Sequence, residues 1–271
     1  MPVEEHFLAL EKQRKRFVLA ILAALAVEAA GAILLFAGQR AAGLILAAAG
    51  LIAWALFGGI GKRRYQQGCA EFGAVYGLGL QNARTVDKKE AAALRAYSER
   101  FIPTACEGDS PMFMHTMEGT LNGLPVTLSE ATQGFHEPGA RARRFLVGTM
   151  LVLPAASERE LLILCGKPYG GEQPVKGLTP LDRLDTKGHA FLAFGDGEID
   201  WTEEQLTILD GLSQEESKSA IFSLQDGKLT AFFPLRFYSG NAKLTSGATA
   251  DSLKKDPIPE AKQAVRFAKS F

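Results

Sequence analysis

Two apolar runs, 17–37 and 41–60, are separated by only Gly38, Gln39 and Arg40. The first run contains one ionisable residue, Glu28, and the second contains none. Each run has the length of a helix that crosses a hydrocarbon layer roughly 30 Å thick. A three-residue link leaves two such helices no choice but to lie antiparallel and side by side. A secretory signal would be shorter and would end in a cleavage site, and a second span directly after the first argues against removal. A buried hairpin of a soluble core would carry a polar face, and these runs have none.

Charge sets the orientation. Lys12, Arg14, Lys15 and Arg16 precede the first run, Lys62, Arg63 and Arg64 follow the second, and the link holds only Arg40. Basic flanks stay on the cytoplasmic side, so both termini are expected there. The whole chain balances 30 basic against 30 acidic side chains over 271 residues. That balance hides a split. Residues 1–64 hold eight Lys/Arg against four Glu, a net of +4, and the remainder is at −4. A mildly acidic soluble part lacks the basic face that nucleic acid requires. Cys69, Cys106 and Cys165 form no CxxC pair and no even framework, which suits a reducing compartment.

The hairpin is rich in small residues (Ala29, Gly31, Gly43, Ala47, Gly50), which let helices approach closely within the hairpin or between copies in a homo-oligomer. Glu28 sits near mid-span. A carboxyl there is costly and marks either an ion or proton site or a group bonded to a neighbouring helix.

Beyond Arg64 the pattern "YQQGCAEFGAVYGLGL" reads as the second helix continuing out of the membrane, with Cys69 near enough to the bilayer for lipidation but more simply a small packing residue. "TVDKKEAAALRAYSERF" reads as one helix with an Asp87/Glu90 capping box. Strands follow. "MEGTLNGLPVTLSEA" turns at Asn122-Gly123, and "SAIFSLQDGKLTAFFPL" turns at Asp226-Gly227. "RRFLVGTMLVLPA", "RELLILCG" and "HAFLAFGD" are single strands. "DWTEEQLTILDGL" is a helix with a Thr202/Gln205 capping box and Gly211 as its stop. "PIPEAKQAVRFAKSF" places Ala261, Ala264, Val265, Ala268 and Phe271 on one face, either packed on the domain or lying on lipid.

The order helix, strands, helix, strands gives an α+β fold. It comprises an N-terminal transmembrane helical hairpin and a cytosolic domain with a mainly antiparallel sheet and a few helices. The divisions are 1–16, a basic cytosolic N-terminus; 17–60, the hairpin; 61–102, a juxtamembrane helical region; and 103–271, the α+β domain with a C-terminal helix.

No catalytic motif is present. "GGIGKRR" lacks the spaced glycine and the Ser/Thr of a phosphate loop. The loop "CGKPYGGEQPVKG" has glycines and lysines able to cradle phosphate, but that mixture is the ordinary makeup of a surface loop. His6, His115, His136 and His189 form no metal spacing, and no cofactor is implied. Arg141, Arg143 and Arg144, after a loop with Phe135, His136 and Pro138, are the candidate contact surface for membrane lipid headgroups or an acidic partner.

The two adjacent spans followed by "GTLNGLPVTLSEA", "RRFLVGTMLVLP", "FLAFGDGEIDWTEEQLTILDGL" and "IFSLQDGKLTAFFPL" resemble the bacterial family Domain of Unknown Function 3137 from the first span to Phe233. The resemblance implies a membrane-anchored cytosolic domain, carries no activity or catalytic residue, and hints at a LemA-family membrane protein as partner. The chain therefore reads first as a non-enzymatic adaptor or regulatory module binding a protein or lipid headgroups. A hydrolase using His189 with Asp196 and Asp200 is the alternative, and a channel or transporter part using Glu28 is the third reading.

Overall fold

The structure is a computed structural model. It describes residues 2–98, 101, 107–136, 142–166, 182–214, 219–235, 243–254, 258 and 260–271. The described chain divides into two compact units.

Unit 1 comprises Met1–Gly77 with Tyr238–Lys255. Its core is two antiparallel helices, α1 (Val3–Phe36) and α2 (Arg40–Phe72), both long and apolar enough to cross a membrane. The two expected apolar helices are present, and each also extends well past its apolar run. At 1.5 Å per residue a 34-residue helix is about 51 Å long, so a bilayer core of roughly 30 Å takes up little more than half of α1.

Small residues set the helix separation. A Cβ on Gly31 would lie 2.4 Å from the Ala47 backbone nitrogen, and one on Gly50 would lie 2.5 Å from that of Glu28. Such an approach maximises dispersion contact between the two helices. Below the apolar runs the partners enlarge. Phe17 fills the space over Gly61, and Leu10 that over Gly68. His6, Phe7, Phe72 and Tyr76 then form a ring cluster. Helix α2 passes into a π-helical turn, Gly73–Leu78, and Gly79 (φ +88°) ends it. The expected continuation of the second helix through residue 78 is therefore present, and Cys69 is a fully buried packing residue.

The chain returns to this unit late. Segment 243–249 closes over the lower hairpin, followed by the short helix α6 (Ala250–Lys254), whose Leu253 is buried.

Unit 2 comprises Leu78–Phe237 with Asp256–Phe271. It holds one antiparallel sheet. The strands are β1 (Gln81–Thr85), β2 (Glu107–Gly108), β3 (Met112–Leu121), β4 (Leu124–His136), β5 (Arg144–Pro154), β6 (Leu161–Cys165), β7 (Asp182–Arg183), β8 (Phe191–Gly195), β9 (Ala220–Gln225) and β10 (Lys228–Phe233). Their spatial order is β1-β3-β4-β5-β10-β9-β6-β8-β7, with β2 on β4. The α+β class and the antiparallel sheet are thus as expected.

Both tight hairpins form at the expected pairs. Asn122 and Gly123 take φ of 49° and 85°, and Asp226 and Gly227 take 51° and 66°, the left-handed values such turns need. The helix expected over the Asp87 region is two short ones, α3 (Lys88–Ala92) and α4 (Arg95–Ser98). Asp87 caps α3 by accepting from Lys89 N and Glu90 N. The break turns Leu94 and Phe101 onto one sheet face, where they pack with Phe135, Leu146, Met150 and Phe232.

The other face is covered by α5 (Glu203–Gln214) and α7 (Glu260–Lys269). The Thr202/Gln205 box is reciprocal. Gln205 N donates to Thr202 Oγ1 at 3.2 Å, and Thr202 N donates to Gln205 Oε1 at 2.9 Å. Gly211 does not stop α5, which runs on to Gln214. One glycine costs about 1 kcal/mol in a helix, less than burying Leu212 returns. On α7, Ala261, Ala264, Val265, Phe267 and Ala268 are buried, and Phe267 meets Phe222 at 5.3 Å between ring centroids. The tail helix belongs to the core. Unit 2 begins at Leu78, so β1, α3 and α4 belong to it.

Candidate binding trough on the sheet

Strand register places one transverse row of side chains on a single face. Arg84 stands opposite Glu118, Glu118 opposite Thr127, Thr127 opposite Val152, and Val152 opposite Thr230. Paired residues share a face, so five strands contribute to this row. One step toward the hairpin ends, Thr120 stands opposite Pro125 and Pro154 opposite Lys228. Short side chains along both rows leave a cavity of about 560 Å³, lined also by Asn82 and Gly227. That size lies in the usual range for ligand sites.

The two cations at the trough are held in place. Arg84 reaches Glu118 at 2.8 Å and Glu90 at 3.4 Å. These carboxylates raise the Arg84 pKa above its usual value, the hydrogen bond that Arg84 donates to Glu118 first. Lys228 Nζ donates to the Tyr97 hydroxyl at 2.6 Å and lies 5.0 Å from that ring's centroid. Two acids therefore answer Arg84, while a neutral phenol hydroxyl and ring meet Lys228. Its floor is Val152, Pro125 and Pro154. Among the described residues nothing hydrogen-bonds to the side chains of Asn82, Thr120 or Thr127, which leaves polar groups ready for a ligand. Beside the trough runs β1, an end strand of the sheet, short, exposed and kinked at Asn82 (φ 52°).

The residues singled out from sequence fall elsewhere. Arg141 lies outside the described residues. Arg143 pairs with Asp109 and lies 5.2 Å over the Phe145 ring, and Arg144 stands in register with Phe135. Arg143 is therefore already matched by an acid. Most of the loop "CGKPYGGEQPVKG" also lies outside the described residues. His189 meets a different acid, Asp210. Its Nδ1 lies 2.8 Å from Asp210 Oδ2, Asp210 Oδ1 accepts from Ala190 N at 3.0 Å, and Asp196 and Asp200 are exposed. Among the described residues no group of three or more His, Cys, Asp or Glu is placed to hold a metal ion. Glu28 is half-buried in the hairpin.

Two features escaped the sequence reading. The trough depends on the register between β1, β3, β4, β5 and β10. The alternation of Thr120, Pro125 and Thr127 was the one signal for it. The second feature is a polar knot in unit 1. The Tyr65 hydroxyl donates to Glu11 Oε1 at 3.1 Å and accepts from Ala248 N at 3.1 Å. Arg14 donates to Glu11 and to the carbonyls of Leu244 and Thr245. It spans over 200 residues of sequence and has no local signature.

No family model, curated protein or solved structure matches the chain.

Proposed function

We propose that the protein is a membrane-tethered, non-enzymatic binding module, fixed by its helical hairpin at the cytoplasmic face of a bacterial inner membrane. Its sheet trough receives an extended, largely uncharged segment of a membrane-proximal protein. The trough itself carries this reading: an apolar Val-Pro floor, unengaged Thr and Asn side chains, an Arg84 already matched by two acids and a Lys228 held on Tyr97. A trough with a single lysine not matched by an acid favours peptide over anionic headgroups, which are drawn to clusters of basic residues. The neighbouring end strand offers main-chain groups of the kind peptides pair with in strand addition. Tethering concentrates the module where such a partner lies, so a modest site suffices. The resemblance to Domain of Unknown Function 3137 fits this role, and through it a LemA-family membrane protein is a candidate partner.

The test is a photo-crosslinking amino acid at Thr120 in the full-length protein in native membranes, with and without Thr127→Trp to fill the trough. A discrete protein adduct that disappears with Thr127→Trp, at unchanged circular dichroism, supports the reading. An adduct indifferent to Thr127→Trp, or lipid adducts alone, contradicts it. The same lipid adducts, lost when Arg141, Arg143 and Arg144 are changed to Ser, would return the contact surface to the arginine stretch.

A further inference from the structure

Glu28 is the only ionisable residue in either apolar run, and the only other polar side chain there is Trp54. The antiparallel packing keeps these two apart in depth. Gly50 lies against the backbone of Glu28 and Ala24, and Trp54 is a further helical turn along α2 toward Ile60. Among the described residues no group hydrogen-bonds to Glu28 or pairs with it. The hairpin cannot supply a partner, because 41–60 contains no Ser, Thr, Asn, Gln, His or charged residue.

A polar side chain left unpaired in hydrocarbon is costly, and carboxyls at that depth are found paired. Glu28 is only half-buried, so the hairpin does not enclose it. Copies of one chain insert with the same orientation. A closed symmetric pair then has its axis along the bilayer normal, and each residue meets its counterpart at equal depth. The group that meets Glu28 under this geometry is Glu28. A neutral carboxyl carries one O–H donor beside its acceptor oxygen, so two of them satisfy each other reciprocally. Both helices expose large apolar side chains around this level, among them Leu22, Leu25 and Leu51, so a partner helix finds a surface already suited to a dry contact.

We propose that two copies pair in the membrane along the α1 flank bearing Glu28, with the two carboxyl groups hydrogen-bonded to each other near mid-bilayer. This rests on the membrane reading of the hairpin.

The test uses the full-length protein labelled with donor or acceptor fluorophore at its N-terminus and reconstituted together in phosphatidylcholine vesicles. Energy transfer is followed as lipid is added. Wild type should show transfer that falls on dilution along a dimer curve. Glu28→Gln should retain it, because two amides also pair reciprocally, and Glu28→Leu should weaken association about tenfold, the effect of losing an intramembrane hydrogen bond. Insertion is measured in the same vesicles by resistance to alkaline extraction. Inserted wild type that is monomeric, or a Glu28→Leu variant that associates as well as wild type, overturns the pairing alone. Protein that washes off overturns the pairing together with the membrane reading.

Discussion

At the residue scale the molecule relies on a few polar groups placed where one atom decides the packing. Tyr65 is buried, with its hydroxyl shared between Glu11 and Ala248. Tyr65→Phe leaves the ring but strands both partners, and is expected to cost about 1–3 kcal/mol, read as faster protease cleavage in 243–249. Gly247 takes φ +74°, and a Cβ there would sit 2.9 Å from Arg14 Nε, so Gly247→Ala should loosen the same segment. Cys165 in unit 2 tests burial through pH. Desolvation pushes its thiol from 9.0 up to about 12, the charge of Asp210 adds to this, and a hydrogen bond with Ser213 opposes it. A raised value means the folded state holds the proton more tightly. Its contribution is whole below pH 9.0 and is lost as pH climbs toward 12. Urea midpoints of wild type should therefore fall more between these pH values than those of Cys165→Ala. Native Cys165 should also resist thiol reagents at pH 8. Glu28 was visible in sequence because charge in an apolar run needs no structure to stand out. The Tyr65 knot was not, because its parts converge only after the chain has built the sheet and come back.

At the element scale local chemistry carried the reading and long-range pairing escaped it. The Asn122-Gly123 and Asp226-Gly227 turns, the strands they join and the Thr202/Gln205 cap all follow from neighbours within a few residues. Thr202→Ala should cost about 1 kcal/mol in unfolding of unit 2. The pairing of β5 with β10 and of β6 with β9 joins strands some 60 to 80 residues apart in sequence, and alternation alone does not say which strand lies next to which. The trough inherits that opacity, since its row exists only once five strands are in register. Helix length was misjudged where tertiary packing overrode propensity, at the α3–α4 break and at Gly211. On α7 the apolar face was read correctly except for Phe267, which lies against Phe222 and Phe271. Phe267→Ala should destabilise unit 2 by about 3–5 kcal/mol in chemical denaturation, the usual range for truncating a buried aromatic ring.

At the scale of the whole molecule the chain crosses between its two units three times. It leaves the hairpin unit at Gly77, returns at Tyr238 and leaves again at Lys255. A simple order of anchor followed by domain, as the sequence implied, omits that return. The hairpin projects helix beyond its apolar runs. These features fit a tethered module, and the account stands on the tether. The most direct test is sealed inside-out bacterial membrane vesicles carrying the full-length protein with a tag at each terminus, treated with protease and then extracted at alkaline pH. The account predicts that both tags are digested from the exposed cytoplasmic face and that a hairpin fragment resists extraction. Release of the protein by alkali, or protection of either tag, would contradict it.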